Sequence, residues 1–118
     1  MQQGAILCAL AILSGAFGAH AIKGKITPEL YETYQTASYY FLIHAIAIVV
    51  YGLFYRGNKR ETSPWPGYLF MLGIVLFSGS LYLIVGTGIK SFGMITPFGG
   101  LSFIVAWIGF GLQSRTFI

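Results

Sequence analysis

Four long apolar stretches, parted by short polar breaks, set the tightest limit on what this chain can fold into. They run roughly from Gln3 to Ile22, Ala37 to Tyr55, Pro66 to Gly86 and Pro97 to Leu112. Lengths of about 16 to 21 residues bracket what a helix needs to cross a hydrocarbon core about 30 Å thick. A soluble domain would interrupt such runs with charge, but of 118 residues 56% are hydrophobic and only 8% charged. That balance lies far outside the soluble range. The expected fold class is therefore all-α integral membrane. One domain spans 1–118, a compact bundle of four transmembrane helices at about 3–22, 28–55, 66–88 and 97–114.

The first stretch has a rival reading, because Ala19-His20-Ala21 resembles a small-x-small cleavage site after an apolar run. No lysine or arginine precedes the run, and it is longer than a signal peptide's apolar region. A retained helix is expected.

Between the second and third stretches lies RGNKRETSPWPG, Arg56 to Gly67, the one linker-like segment. It divides the chain into two hairpins that share an order of short matches. Ser14-Gly15, Ile22-Lys23 and Gly24 to Pro28 correspond to Ser78-Gly79, Ile89-Lys90 and Gly93 to Pro97. Each series ends in Ile-Thr-Pro. Threonine is a good helix N-cap and proline is favoured at the first helical position, so Thr27 and Thr96 are expected to open the second and fourth helices, with Ile26 stapled onto Tyr31. Two such starts from one membrane side make the hairpins candidate parallel repeats about an axis along the membrane normal.

Basic residues near the span ends orient the chain. Arg56, Lys59, Arg60 and Arg115 share the N-terminal side, and Lys23, Lys25 and Lys90 lie opposite. Both termini are expected to be cytoplasmic. The net charge of +4 is scattered over these ends and forms no basic stripe, which argues against a nucleic-acid partner. Acidic side chains are confined to Glu29, Glu32 and Glu61, all outside the apolar stretches. Cys8 stands alone among apolar neighbours, where its thiol is expected to be unreactive.

Small residues at helical spacing mark close helix contacts in lipid, where apolar burial by itself drives little association. Gly4, Cys8, Ala11, Gly15 and Gly18 form one stripe on the first helix, opposite Ile6, Leu10, Leu13 and Phe17. Gly99, Ser102, Ala106 and Gly109 form a second on the fourth helix, and Gly79 and Gly86 flank Tyr82 on the third. These stripes suit packing inside the bundle, or contacts in a homo-oligomer or a larger membrane complex.

On the second helix, Thr33, Ala37, Tyr40, His44, Ala47 and Tyr51 fall within one sector. An imidazole two turns inside an apolar segment needs a partner, so His44 is expected to face inward, uncharged and hydrogen-bonded. Tyr40, Ser78 and Tyr82 are the candidate polar companions. His20, near the end of the first helix and about 160° from its small stripe, is expected at headgroup level. Two histidines without further ligands at suitable spacing make no metal site, and no cofactor is expected.

The blocks SGAFGAHAIKGK, YETYQTASYYFLIHA, LFSGSLY and GMITPFGG resemble, in order and over nearly the whole chain, the family called domain of unknown function 423. That family includes YwdK-like small bacterial membrane proteins and is similar to transmembrane protein 256. The resemblance implies a four-helix membrane protein carrying the Gly15 to His20 block, Thr36-Ala37 and His44, in the bacterial inner membrane, and it brings no established activity. The family's pattern has Tyr-Gln a little before this histidine; here Tyr40-Phe41 stands nearest and Tyr34-Gln35 lies earlier.

Short loops and small-residue stripes favour a non-catalytic bundle that acts through contacts with lipid or membrane partners. The alternative is an oligomeric small transporter or channel with a polar path along Tyr40 and His44. Proton- and cation-coupled carriers commonly rely on intramembrane carboxylates, and none lies within these stretches. An enzyme is the least supported class, because catalytic bases and metal ligands are nearly absent.

Overall fold

The computed structural model describes residues 2–60 and 62–115, and all their regular structure is helical. Four helices are long and apolar enough to cross a membrane. We call them α1 (Gln2–Ile22), α2 (Pro28–Gly57), α3 (Trp65–Thr87) and α4 (Thr96–Ser114), with a 3-10 turn, Lys90–Met94, leading into the last.

The helix ends obey local chemistry. Thr27 caps α2: its Oγ1 accepts from Leu30 N at 3.2 Å, and Pro28 takes the first helical position. Gly88, at φ +73, ends α3 in the left-handed region and donates its N–H to Ile84 O at 2.8 Å, a conformation that glycine adopts without steric penalty. The second Ile-Thr-Pro behaves differently from the expectation. Ile95 is already helical, at φ −82 and ψ −31, so Thr96 does not cap α4. The chain enters α4 through the 3-10 turn, which leaves no extended residue where a cap would sit. The Thr96 hydroxyl instead hydrogen-bonds Ser80 Oγ on α3.

Two helices widen for one turn. In α1 the segment Gly18–Ile22 is π-helical, with Lys23 N bonded to Gly18 O at 3.0 Å, and in α3 the segment Ile74–Ser78 does the same, closed by Gly79 N on Ile74 O. Each wide turn inserts one residue and so rotates the two halves of its helix relative to one another. The two turns do not occupy matching places in the two hairpins. One comes after Ser14-Gly15 and the other ends at Ser78, so the hairpins differ internally despite their shared sequence order.

Adjacent helices run antiparallel. α1 packs on α2, α3 on both α2 and α4, and α2 thereby carries two buried faces. The core lies between α2, α3 and α4 and is built from Ala47, Ile48, Tyr51, Phe70, Ile74, Phe103 and Ala106. α1 is peripheral: 11% of its apolar window is buried, against 33% in α2. Ile6, Leu10, Leu13 and Phe17 face outward.

The small residues divide by use. Gly4 sits under Ile48 and Val49, Gly18 under the Tyr34 ring, Gly99 against the Phe77 backbone and Gly109 under Trp65; in each case an added Cβ would collide. Ser102 and Ala106 are buried on the same stripe as Gly99. Gly15, Gly79 and Gly86 depart from the expected seams, since a Cβ at any of them would meet nothing within 4 Å. Gly15 lies about 60° around α1 from Gly18 by ordinary helical spacing, at the margin of the stripe, so Gly18 meets α2 while Gly15 opens onto a groove.

Candidate functional site

The expected grouping of Tyr40, His44, Ser78 and Tyr82 does not form one site. α3 runs antiparallel to α2 with Ser78 level with Ala37, whose carbonyl accepts from Ser78 Oγ at 2.8 Å. His44 lies seven residues further along α2, about 10 Å by helical rise, beyond the reach of either Ser78 or Tyr82. Two separate polar centres result.

The first surrounds His44, which is 4% exposed. Its Nδ1 lies 2.8 Å from Tyr40 O, one turn back on α2, and its Nε2 lies 3.1 Å from Trp107 Nε1 on α4. A carbonyl oxygen only accepts and an indole N–H only donates. Nδ1 therefore carries the proton and Nε2 the lone pair, so the imidazole is neutral. Protonating Nε2 would set two N–H groups against one another. The ring lies flat on Phe103, with centroids 3.5 Å apart and planes 9° apart, and the Tyr40 ring lies parallel to it at 6.0 Å. Phe70, fully buried, meets Trp107 edge-on at 4.9 Å and closes the box.

The second centre gathers hydroxyls from three helices. Ser14 Oγ of α1 lies 2.9 Å from Tyr34 OH, 3.2 Å from Ser38 Oγ and 2.7 Å from Tyr82 OH. Ser38 and Tyr82 are 2.8 Å apart, and Tyr34 OH also donates to the Ser14 carbonyl. This network ties the peripheral α1 to α2 and α3. Only Tyr82 among its members was an expected site residue. A signal for the others existed in Tyr34 and Ser38, which stand one helical turn apart on α2, about 100° around the helix from His44.

A third tie holds the α2–α3 connection. The single O–H of Tyr51 is shared between two acceptors, Gln113 Oε1 at 2.6 Å and Ser63 O, and Gln113 Nε2 donates to Ser63 O at 3.1 Å. His20 lies exposed in the π turn of α1 and joins none of these centres. At the same membrane end, the Lys90 and Glu29 side chains pair at 3.8 Å, both about four-fifths exposed, a geometry that contributes little stability. Among the described residues no three His, Cys, Asp or Glu side chains gather as metal ligands would.

Two hollows open along α1 and α2. One, of about 680 Å³, lies at the connection between them and is lined by Lys23, Pro28, Tyr31, Glu32 and Gln35 among others. The other, of about 610 Å³, lies deeper, between Ala11, Ile12, Gly15 and Ala16 of α1 and Ser38, Tyr39 and Leu42 of α2. Tyr31 and Gln35 line both, so the two form one groove.

The model of the family described as Protein of unknown function (DUF423) covers residues 14–100, a stretch holding the hydroxyl centre and His44. The chain is 42% identical to the UPF0382 membrane protein YwdK of Bacillus subtilis (strain 168), over 89% of this chain and 86% of that one. It is 41% identical to the UPF0382 membrane protein SAB0533 of Staphylococcus aureus (strain bovine RF122 / ET3-1), over 89% and 85%. With the UPF0382 membrane protein SH2409 of Staphylococcus haemolyticus (strain JCSC1435) it shares 35% identity over 98% and 93%. No solved structure matches. With its family blocks carried on four membrane-length helices, and with bacterial membrane-protein relatives matched along most of both chains, this protein belongs to the DUF423 family.

Proposed function

We propose that the protein is a non-catalytic helix bundle that acts by contact within the bilayer, with lipid or with other membrane proteins, in the bacterial inner membrane with both termini cytoplasmic. One observation carries this reading. Among the described residues, every buried side-chain nitrogen and oxygen has a hydrogen-bond partner inside the chain, His44 included at both ring nitrogens. A proton path or a catalytic centre needs a polar group free to change partners; here each is held by another helix or by its own backbone. The separation of His44 from the hydroxyl centre works in the same direction, because it leaves a polar path along Tyr40 and His44 without the hydroxyls of Ser78 and Tyr82 to extend it. The weakly buried α1 supplies outward surface for contacts.

Reconstitution tests this. Proteoliposomes should hold proton and small-solute gradients as tightly as empty liposomes. Flux that depends on the protein and disappears in folded His44→Gln would replace the contact reading with the transport one.

A further inference from the structure

The groove between α1 and α2 has the length, polarity gradient and charge pair of a site for one phospholipid. From Pro28 to Leu42, one face of α2 (Pro28, Tyr31, Gln35, Leu42) runs along both hollows, a rise of about 21 Å. A bilayer about 40 to 45 Å thick with its headgroups has leaflets of about 20 to 22 Å. The groove is one leaflet deep. Its loop end is lined by Lys23 and Glu32, of opposite charge, exposed, and with no ion pair between them among the described residues. Gln35 lies about one turn deeper than Tyr31, at a depth suited to ester carbonyls, and below it the walls become apolar around Ala16, Ile12 and Leu42.

Gly15 lines the deep part, and a Cβ there would touch no other atom within 4 Å. Its lack of a side chain thus serves no helix contact; it leaves the groove open. An anionic lipid would satisfy Lys23 and set its phosphate against Glu32. A headgroup with one phosphate and one primary ammonium satisfies both, and the ammonium has N–H groups to donate to the carboxylate, which a trimethylated amine lacks.

We propose that this groove binds a single glycerophospholipid with a phosphoethanolamine headgroup, the phosphate on Lys23, the ammonium on Glu32 and an acyl chain along Gly15. The proposal rests on the contact reading above and names one partner for it. Native mass spectrometry of the full-length protein, titrated separately with phosphatidylethanolamine, phosphatidylcholine and phosphatidylglycerol, tests it. Wild type should retain one phosphatidylethanolamine with about 5-fold preference over the other two, a size that one partly exposed charge pair can supply. Glu32→Gln should abolish the preference over phosphatidylcholine. Gly15→Leu should reduce retention of all three without lowering the melting temperature. Equal retention of the three lipids by wild type, or binding indifferent to Gly15→Leu, would overturn the proposal. So would a protein dimer that Gly15→Leu dissociates, which would assign the groove to a second copy. If lipid selectivity fails while proteoliposomes stay tight, only this proposal falls; His44-dependent flux would remove the contact reading itself.

Discussion

At the scale of single residues, His44 shows how two fixed neighbours choose a tautomer. The Tyr40 carbonyl and the Trp107 indole leave only the Nδ1–H form, so ¹⁵N spectra at neutral pH should show Nδ1 protonated and Nε2 bare. A signal from the opposite tautomer would contradict the geometry. His44→Phe keeps a flat ring on Phe103 but strands the Trp107 N–H, and should destabilise by about 1 to 3 kcal/mol. His44→Gln should recover part of that by offering an amide oxygen. The double variant His44→Phe/Trp107→Phe should lose less than the sum of the single changes, by about 0.6 kcal/mol, the average for interhelical hydrogen bonds in membranes, and by no more than about 1.7 kcal/mol. Strict additivity in detergent unfolding would show that the two side chains are not coupled.

At the scale of elements, the decisive quantity is how closely backbones approach. Gly99 puts α4 against the Phe77 backbone of α3, which cannot swing aside as a side chain can. Gly99→Ala should therefore destabilise by about 1 to 3 kcal/mol, as overpacking does. Gly86→Ala, open on its outer side, should be neutral or slightly stabilising because alanine is the better helix former. Thermal unfolding in one detergent compares the two, and equal losses would mean that the α3–α4 contact is misplaced. The π turn of α3 belongs to this scale as well. By adding a residue before Gly79 it sets the register in which Ser78 reaches the Ala37 carbonyl while Gly73 lies beneath Phe103.

For the whole molecule, four spans require the two kinds of connection to lie on opposite sides of the membrane. In a Cys8→Ser background, a cysteine at Asn58 should react with an impermeant thiol reagent only from the cytoplasmic side, and one at Ser91 only from the other. Labelling of both from one side would dismantle the four-span arrangement, and exchange of the two sides would reverse the orientation drawn from the basic residues. The molecule is also unequal in its parts: α2, α3 and α4 share the core, whereas α1 is held to them by α2 packing and the Ser14 hydroxyl network. Ser14→Ala should accordingly loosen α1 first, seen as faster hydrogen exchange in Gln2–Ile22 while the protection around Phe70 and Phe103 persists.

The four-helix membrane class was legible in the sequence because it depends on the length and purity of apolar runs, which are properties of consecutive residues. The Thr27 cap was legible for a related reason, since it needs only three neighbours. Partner choice was a different matter. Trp107 was invisible as the mate of His44, and Ser14 as the hub of Tyr34, Ser38 and Tyr82, because those pairs depend on how far each helix is rotated and slid against the next. In these helices a single wide turn changes that rotation. Gly15 and Gly18 illustrate the dependence on rotation: both lie on one small-residue stripe, yet the angle at which α1 is turned against α2 puts one in a helix contact and leaves the other facing an open groove. Thr96 does so again, for it repeats the Thr27 tripeptide, but the 3-10 turn before it removes the extended residue a cap requires and leaves its hydroxyl for Ser80. Composition and periodicity decided that the chain enters the membrane, and as what; only the tertiary structure decided which polar groups meet there, because that depends on helix rotation, which no local pattern encodes.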